Sequence, residues 1–132
     1  QSPIELGSFF EFTYFLKGMA AINDDVQVNF WIEKEGEKVS TGSDIIYMGS
    51  FEEKTEQAKI FLPTSIESGV YQFYVEVYHQ AYSARSYRTI EIVVKEGVAY
   101  IQFQGMQVLK IIGIIIISII PAIIEYIKYK KD

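Results

Sequence analysis

The alternation of apolar and polar positions carries most of the structural information in this chain. In "DVQVNFWIEK" (25–34), Val26, Val28, Phe30 and Ile32 point one way. Gln27, Asn29, Trp31 and Glu33 point the other, so period two marks a half-buried strand. "SFFEFTYFLK" (8–17) puts Phe10, Phe12, Tyr14 and Leu16 on one face, with Phe9 and Phe15 on the other. "TEQAKIFLP" (55–63) aims Ala58, Ile60 and Leu62 inward, "VYQFYVEVYH" (70–79) aims Tyr71, Phe73, Val75 and Val77, and "SYRTIEIVVK" (86–95) aims Ile90, Ile92 and Val94. "VSTGSDIIYMGSF" (39–51) predicts one or two short strands, broken at Gly42 and Gly49. Turn signals stand at Gly36, at "TSIESG" (64–69) and at Glu96-Gly97. Six or seven short strands at this spacing predict an all-β antiparallel sandwich over 1–97.

One stretch sharpens that expectation. "SGVYQFYVEV" (68–77) resembles the E–F corner of immunoglobulin-like and fibronectin-like sandwiches, where a Gly-x-Tyr-x-hydrophobic stretch opens a strand. Gly69 and Tyr71 match those positions. The resemblance covers roughly residues 25–95. It implies an Ig-like architecture and a corner tyrosine whose hydroxyl returns to an upstream backbone group. The disulfide pair and core Trp of antibody domains are missing, and Trp31 falls on the outward side of its strand.

After the strands the pattern changes. From Ile111 to Ile124 no residue is charged, which is 14 residues or about 21 Å as a helix. Met106 to Ile127 gives 22 residues or about 33 Å, with charges only at Lys110 and Glu125 near the ends. This is the length and composition of a membrane-spanning helix. Tyr100 and Phe103 before it, and Tyr126 and Tyr129 at its close, fit the two interfaces, where Lys110 and Glu125 snorkel. "KYKK" (128–131) follows at once, and the positive-inside rule makes it cytoplasmic. The division is thus a sandwich at 1–97, a connection at 98–105, a helix at 106–127 and a basic tail at 128–132. Within the helix, Pro121 predicts a kink, and Gly113, Ser118 and Ala122 offer small surfaces for close helix packing. Rival readings are a buried strand, favoured by the sheet preference of Ile but opposed by Pro121, and a helix buried in the core of a filament. Gln1 at the start fits a removed secretory signal peptide.

Charge and chemistry narrow the function. The net charge is −5; residues 1–105 hold fifteen acids against eight bases, whereas 106–132 hold four Lys against Glu125 and Asp132. No basic stripe suits a phosphate backbone, so nucleic acid is not an expected partner. Cysteine is absent, which removes disulfides, thiol catalysis and Cys-ligated zinc. A cysteine-free outer domain rich in Ile, Tyr, Glu and Lys suits a prokaryote, in particular a thermophilic archaeon. His79 is the only histidine, leaving no material for a His-cluster metal site or a Ser-His triad. Asp24-Asp25 and Glu52-Glu53 are paired acids without a calcium-loop pattern. No cofactor and no reaction are expected. The positive signal is aromatic. Tyr74, Tyr78 and Tyr87 share the outward parity and, with Trp31, form a candidate partner surface. The reading is a non-enzymatic subunit of a membrane complex or cell-surface assembly, with lipid and other protein subunits as partners. The alternatives are a filament or surface-layer subunit and, more weakly, a glycan or small-ligand module using Trp31 and Tyr82.

Overall fold

The computed structural model describes residues 3–80, 82–112 and 115–120, and side chains up to residue 103 apart from that of Tyr82. Nine strands lie among the described residues: β1 (Ile4–Glu5), β2 (Phe9–Gly18), β3 (Ala21–Lys34), β4 (Glu37–Ser50), β5 (Glu53–Phe61), β6 (Gly69–His79), β7 (Tyr82–Lys95), β8 (Val98–Ile112) and β9 (Ile115–Ile120). They form a six-stranded sheet in the order β1-β8-β7-β6-β3-β4 and a three-stranded sheet in the order β5-β2-β9. Every pairing is antiparallel.

Two hairpins are closed by the same dipeptide. Glu35-Gly36 joins β3 to β4 with φ of 52° and 83°, and Glu96-Gly97 joins β7 to β8 with φ of 53° and 79°. Positive φ at both central residues is the primed turn whose twist matches a β-hairpin. Gly takes it readily; Glu takes it at a cost.

The inward parity read from the strands is the parity of the core. Phe10, Phe12, Tyr14 and Leu16 of β2, Val26, Val28, Phe30 and Ile32 of β3, and Tyr71, Phe73, Val75 and Val77 of β6 are buried. Aromatic rings join the two sheets. Phe12 meets Phe73 edge-on at 4.7 Å and Phe30 at 5.0 Å, and Phe10 lies 6.0 Å from Phe103. Edge-to-face pairs of this kind add about 0.5–1.5 kcal/mol each beyond the area they bury. Tyr14 is fully buried, and its hydroxyl donates to Asp44 Oδ2 at 3.1 Å.

Three elements differ from the reading of the sequence. β4 is one strand that passes through Gly42 and Gly49 without a break. Gly42 faces the ring of Phe30, and a Cβ there would stand 2.4 Å from Phe30 Cε1; the glycine answers a packing demand, not a turn. Residues 98–105, read as a connection, belong to β8, where Ala99 and Ile101 are buried. The expected helix over 106–127 is not confirmed. Met106–Ile112 continues β8 beside β7, and Ile115–Ile120 is β9, paired with Thr13–Gly18 of β2. β-branched Ile suits a pleated surface, and β2 offers it an edge. Residues 113–114 and 121–132 lie outside the described residues, and with them Gly113, Pro121, Ala122, Glu125, Tyr126 and Tyr129. Among the described residues no helix is long and apolar enough to cross a membrane.

Candidate functional site

The face of the six-stranded sheet that points away from the core gathers the outward aromatics. The strand registers set Trp31 opposite Tyr74 and Tyr74 opposite Tyr87. Side chains in one row of a sheet touch across strands, so three residues far apart in sequence become one ladder. Trp31 and Tyr74 stack with centroids 5.0 Å apart and planes 9° from parallel; Tyr74 and Tyr87 stack at 5.2 Å and 25°.

Cations cap the ladder. Lys38, reaching from β4, holds its ammonium 4.3 Å from the Trp31 centroid. The Arg85 guanidinium lies 5.4 Å from Trp31 and 5.6 Å from Tyr74. Two of its nitrogens donate to Glu76 Oε2, at 2.8 and 3.0 Å. Trp31 Nε1 donates to Glu33 Oε1 at 2.9 Å. The indole is therefore outward on its strand yet only 5% exposed, because Lys38 covers it on the β4 side and Tyr74 on the β6 side. Neither Lys38 nor Arg85 follows from strand parity alone; both became visible only when the registers were known.

Tyr78 sits two rows away, beyond Glu76, and is 42% exposed. A hydrogen bond to Glu76, more than its slight burial, raises the pKa of its hydroxyl. Burial, followed by the charge of Glu33, raises that of Tyr74. Beside the ladder lies a shallow depression of about 370 Å³ lined by Asn29, Lys38, Thr41, Ser43, Glu76 and Tyr78, among others. A second depression, about 420 Å³, lies over Glu11, Thr13, Gln57 and Lys59 on the other sheet. Glu11 and Lys59 face each other there with opposite charges, and its one aromatic, Phe12, is buried in the core.

The remaining candidates fall elsewhere. Tyr71 is buried, and its hydroxyl donates to the Glu67 carbonyl at 2.6 Å. Gly69 lies against Lys34, whose ammonium stands 5.3 Å from the Tyr71 ring centroid. Tyr100 is on β8 and partly exposed; the backbones of Lys110 and Ser118 belong to β8 and β9. The paired acids are engaged locally. Asp24 accepts from the Asp25 amide and faces His79 Nε2 at 3.3 Å, and these two bonds, the amide first, hold its carboxyl below the usual value. Glu52 accepts from the Gly49 amide. Among the described residues no three His, Cys, Asp or Glu side chains converge as metal ligands would.

Pattern reading missed Arg88. It sits on the inward side of β7, 4% exposed, with its guanidinium 5.3 Å from the Phe103 centroid. Burial lowers its pKa from the ordinary value. Its parity with Ile90 and Ile92 was the available signal. Comparison with known protein families, with curated proteins and with solved structures finds no match for this chain.

Proposed function

We propose that the chain is a non-enzymatic interaction subunit whose β-domain stands outside a membrane and docks a protein partner on its six-stranded sheet. The observation that carries this reading is the Trp31–Tyr74–Tyr87 ladder. Aromatic rings already ordered by their neighbours lose little entropy on binding, and Tyr, Trp and Arg are the residues that dominate interface energetics. The rim of Glu33, Lys38 and Arg85 supplies both signs of charge, which favours a polar protein surface over a nucleic acid.

The domain is proposed to be Ig-like. Two features support it. The order β7-β6-β3-β4 facing β5-β2 follows the order of strands G-F-C-C′ facing E-B in that architecture. The Tyr71 hydroxyl bond to Glu67 is the corner bond that the resemblance implies. An archaeal origin rests on composition alone.

The segment from Met106 onward is proposed as the anchor. In a bilayer every backbone polar group must be satisfied within the protein, which a lone strand at a sheet edge does not achieve and a helix does. The extended backbone of β9 then belongs to the chain in water and a kinked helix to the chain in lipid, with residues 128–132 in the cytoplasm. Burial of the same segment by neighbouring copies in a filament is the second reading; β9 pairs with β2 of its own chain on one side and is the last strand of its sheet among the described residues, which leaves an edge that a neighbour could cover. A glycan module is the weakest, since a sugar stacking on Trp31 would have to displace Lys38.

The test has two arms. Alkaline carbonate extraction of membranes should leave the full chain in the pellet and release residues 1–105; release of both would refute the anchor. A photo-crosslinking residue at Tyr78, compared with one at Phe9 on the opposite sheet, should give a discrete adduct only at Tyr78. Identical adducts at both positions would refute docking on the ladder face.

A further inference from the structure

The six-stranded sheet ends at β4, and β4 is an open edge. It pairs with β3 along its length, and among the described residues no strand pairs with its other side. An unpaired row of amides and carbonyls is a template for another strand, and proteins usually blunt it with Lys, Pro or a short edge. β5, an edge of the other sheet, carries Glu53, Lys54, Glu56 and Lys59. β4 differs. From Thr41 to Ser50 it has no Lys, Arg or Pro and one charge, Asp44, which is engaged by the Tyr14 hydroxyl. It also displays Ile45, 71% exposed, and Tyr47, 51% exposed, on the same side of the sheet. Glu52, by accepting from the Gly49 amide, marks where the open stretch stops.

We propose that β4 pairs antiparallel with β4 of a second copy of this chain, about a two-fold axis at Ile46, so that the two sheets become one. The occupant follows from self-complementarity. An axis at Ile46 sets Ile45 of each copy against Tyr47 of the other, two aliphatic–aromatic cross-strand pairs on the solvent face. It sets Asp44 against Met48 and keeps the two carboxylates about 14 Å apart at ~3.4 Å per residue, beyond the roughly 8 Å screening length at physiological salt. Parity is preserved: Asp44, Ile46 and Met48 stay on the core side in both copies. A two-fold interface of this kind closes on itself and does not propagate. It joins the Trp31–Tyr74–Tyr87 ladders of two copies on one continuous face, but it stands whether or not that face docks a partner.

The absence of native cysteine makes the test clean. Single-cysteine variants of the full chain in detergent micelles, Ser43→Cys, Ile45→Cys, Ile46→Cys and Tyr47→Cys, are oxidised and run on non-reducing gels beside Phe9→Cys on the opposite sheet. The covalent dimer should peak at Ile46→Cys, severalfold above Phe9→Cys, and Ile45→Lys added to Ile46→Cys should abolish it. Because Ile46 is partly buried, a second measurement mixes differently tagged Ile45→Cys and Tyr47→Cys chains, which should cross-link with each other more than with themselves. A flat profile, a peak at another position or a dimer equally strong at Phe9→Cys would overturn the pairing.

Discussion

Tyr71→Phe isolates the corner hydrogen bond. The substitution removes one oxygen and leaves the ring, which is 2% exposed and keeps the Lys34 ammonium 5.3 Å from its centroid. What is lost is the bond to the Glu67 carbonyl. A buried acceptor left without a donor costs up to about 3 kcal/mol, whereas a typical net hydrogen bond contributes about 1 kcal/mol. Glu67 is an exposed residue in the loop before β6, so water can reach its carbonyl and the lower figure applies. For a chain of 132 residues about 1 kcal/mol corresponds to roughly 3–5 °C in Tm. Thermal unfolding of the full chain in micelles, followed by circular dichroism, reads the shift. Tyr100→Phe is the control: that ring is on β8 and 39% exposed, and its change should stay within about 0.5 kcal/mol. A Tyr71→Phe shift no larger than that of Tyr100→Phe would refute the corner bond. A loss far above 3 kcal/mol would mean that the ring itself had moved.

Other expectations are as direct. Gly42→Ala should destabilise the domain by about 1–3 kcal/mol through overpacking against Phe30, and adding Phe30→Leu should recover part of the loss in urea unfolding; full tolerance of the alanine would contradict the packing of β4 on β3. Glu35→Asn and Glu96→Asn should each stabilise by a few tenths to about 1 kcal/mol, because Asn tolerates the positive φ of primed turns better than Glu; unchanged midpoints would argue against those turns. Burial first, and Asp44 second, raise the pKa of Tyr14 far above its usual value near 10. The raised folded value means that its contribution is whole below pH 10 and is lost as pH rises further, by on the order of 1 kcal/mol per pH unit. Urea midpoints at pH 9 and 11 should differ more in the parent than in Tyr14→Phe; equal drops would remove Tyr14 from the account.

The strands were legible because a half-buried sheet writes itself as period two. Val26 to Ile32 and Tyr71 to Val77 needed no partner to declare their inward faces. The hairpin dipeptides Glu35-Gly36 and Glu96-Gly97 were visible as turns, though not as primed ones. Gly42 was misread as a breaker because its reason, the Phe30 ring, arrives from another strand. Residues 98–105 were misread as a linker because a strand that packs against β7 has no local signature separating it from a connection.

The same division holds at the candidate site. Local pattern determined that Trp31, Tyr74, Tyr78 and Tyr87 lie on the outward side of their strands, since parity is a property of one strand at a time. Tertiary structure decided which of them touch. Strand register puts Trp31, Tyr74 and Tyr87 in one row and Tyr78 two rows further on, brings Lys38 and Arg85 over the rings, and leaves β4 as an open edge among the described residues. Register and strand order arise from pairing between distant segments, and a one-residue slip would exchange the two faces; a single strand's composition does not encode them. For "KIIGIIIISII" the surroundings matter more still. Ile suits a pleated surface, but only the edge that β2 offers decides that Ile115–Ile120 pairs there as β9.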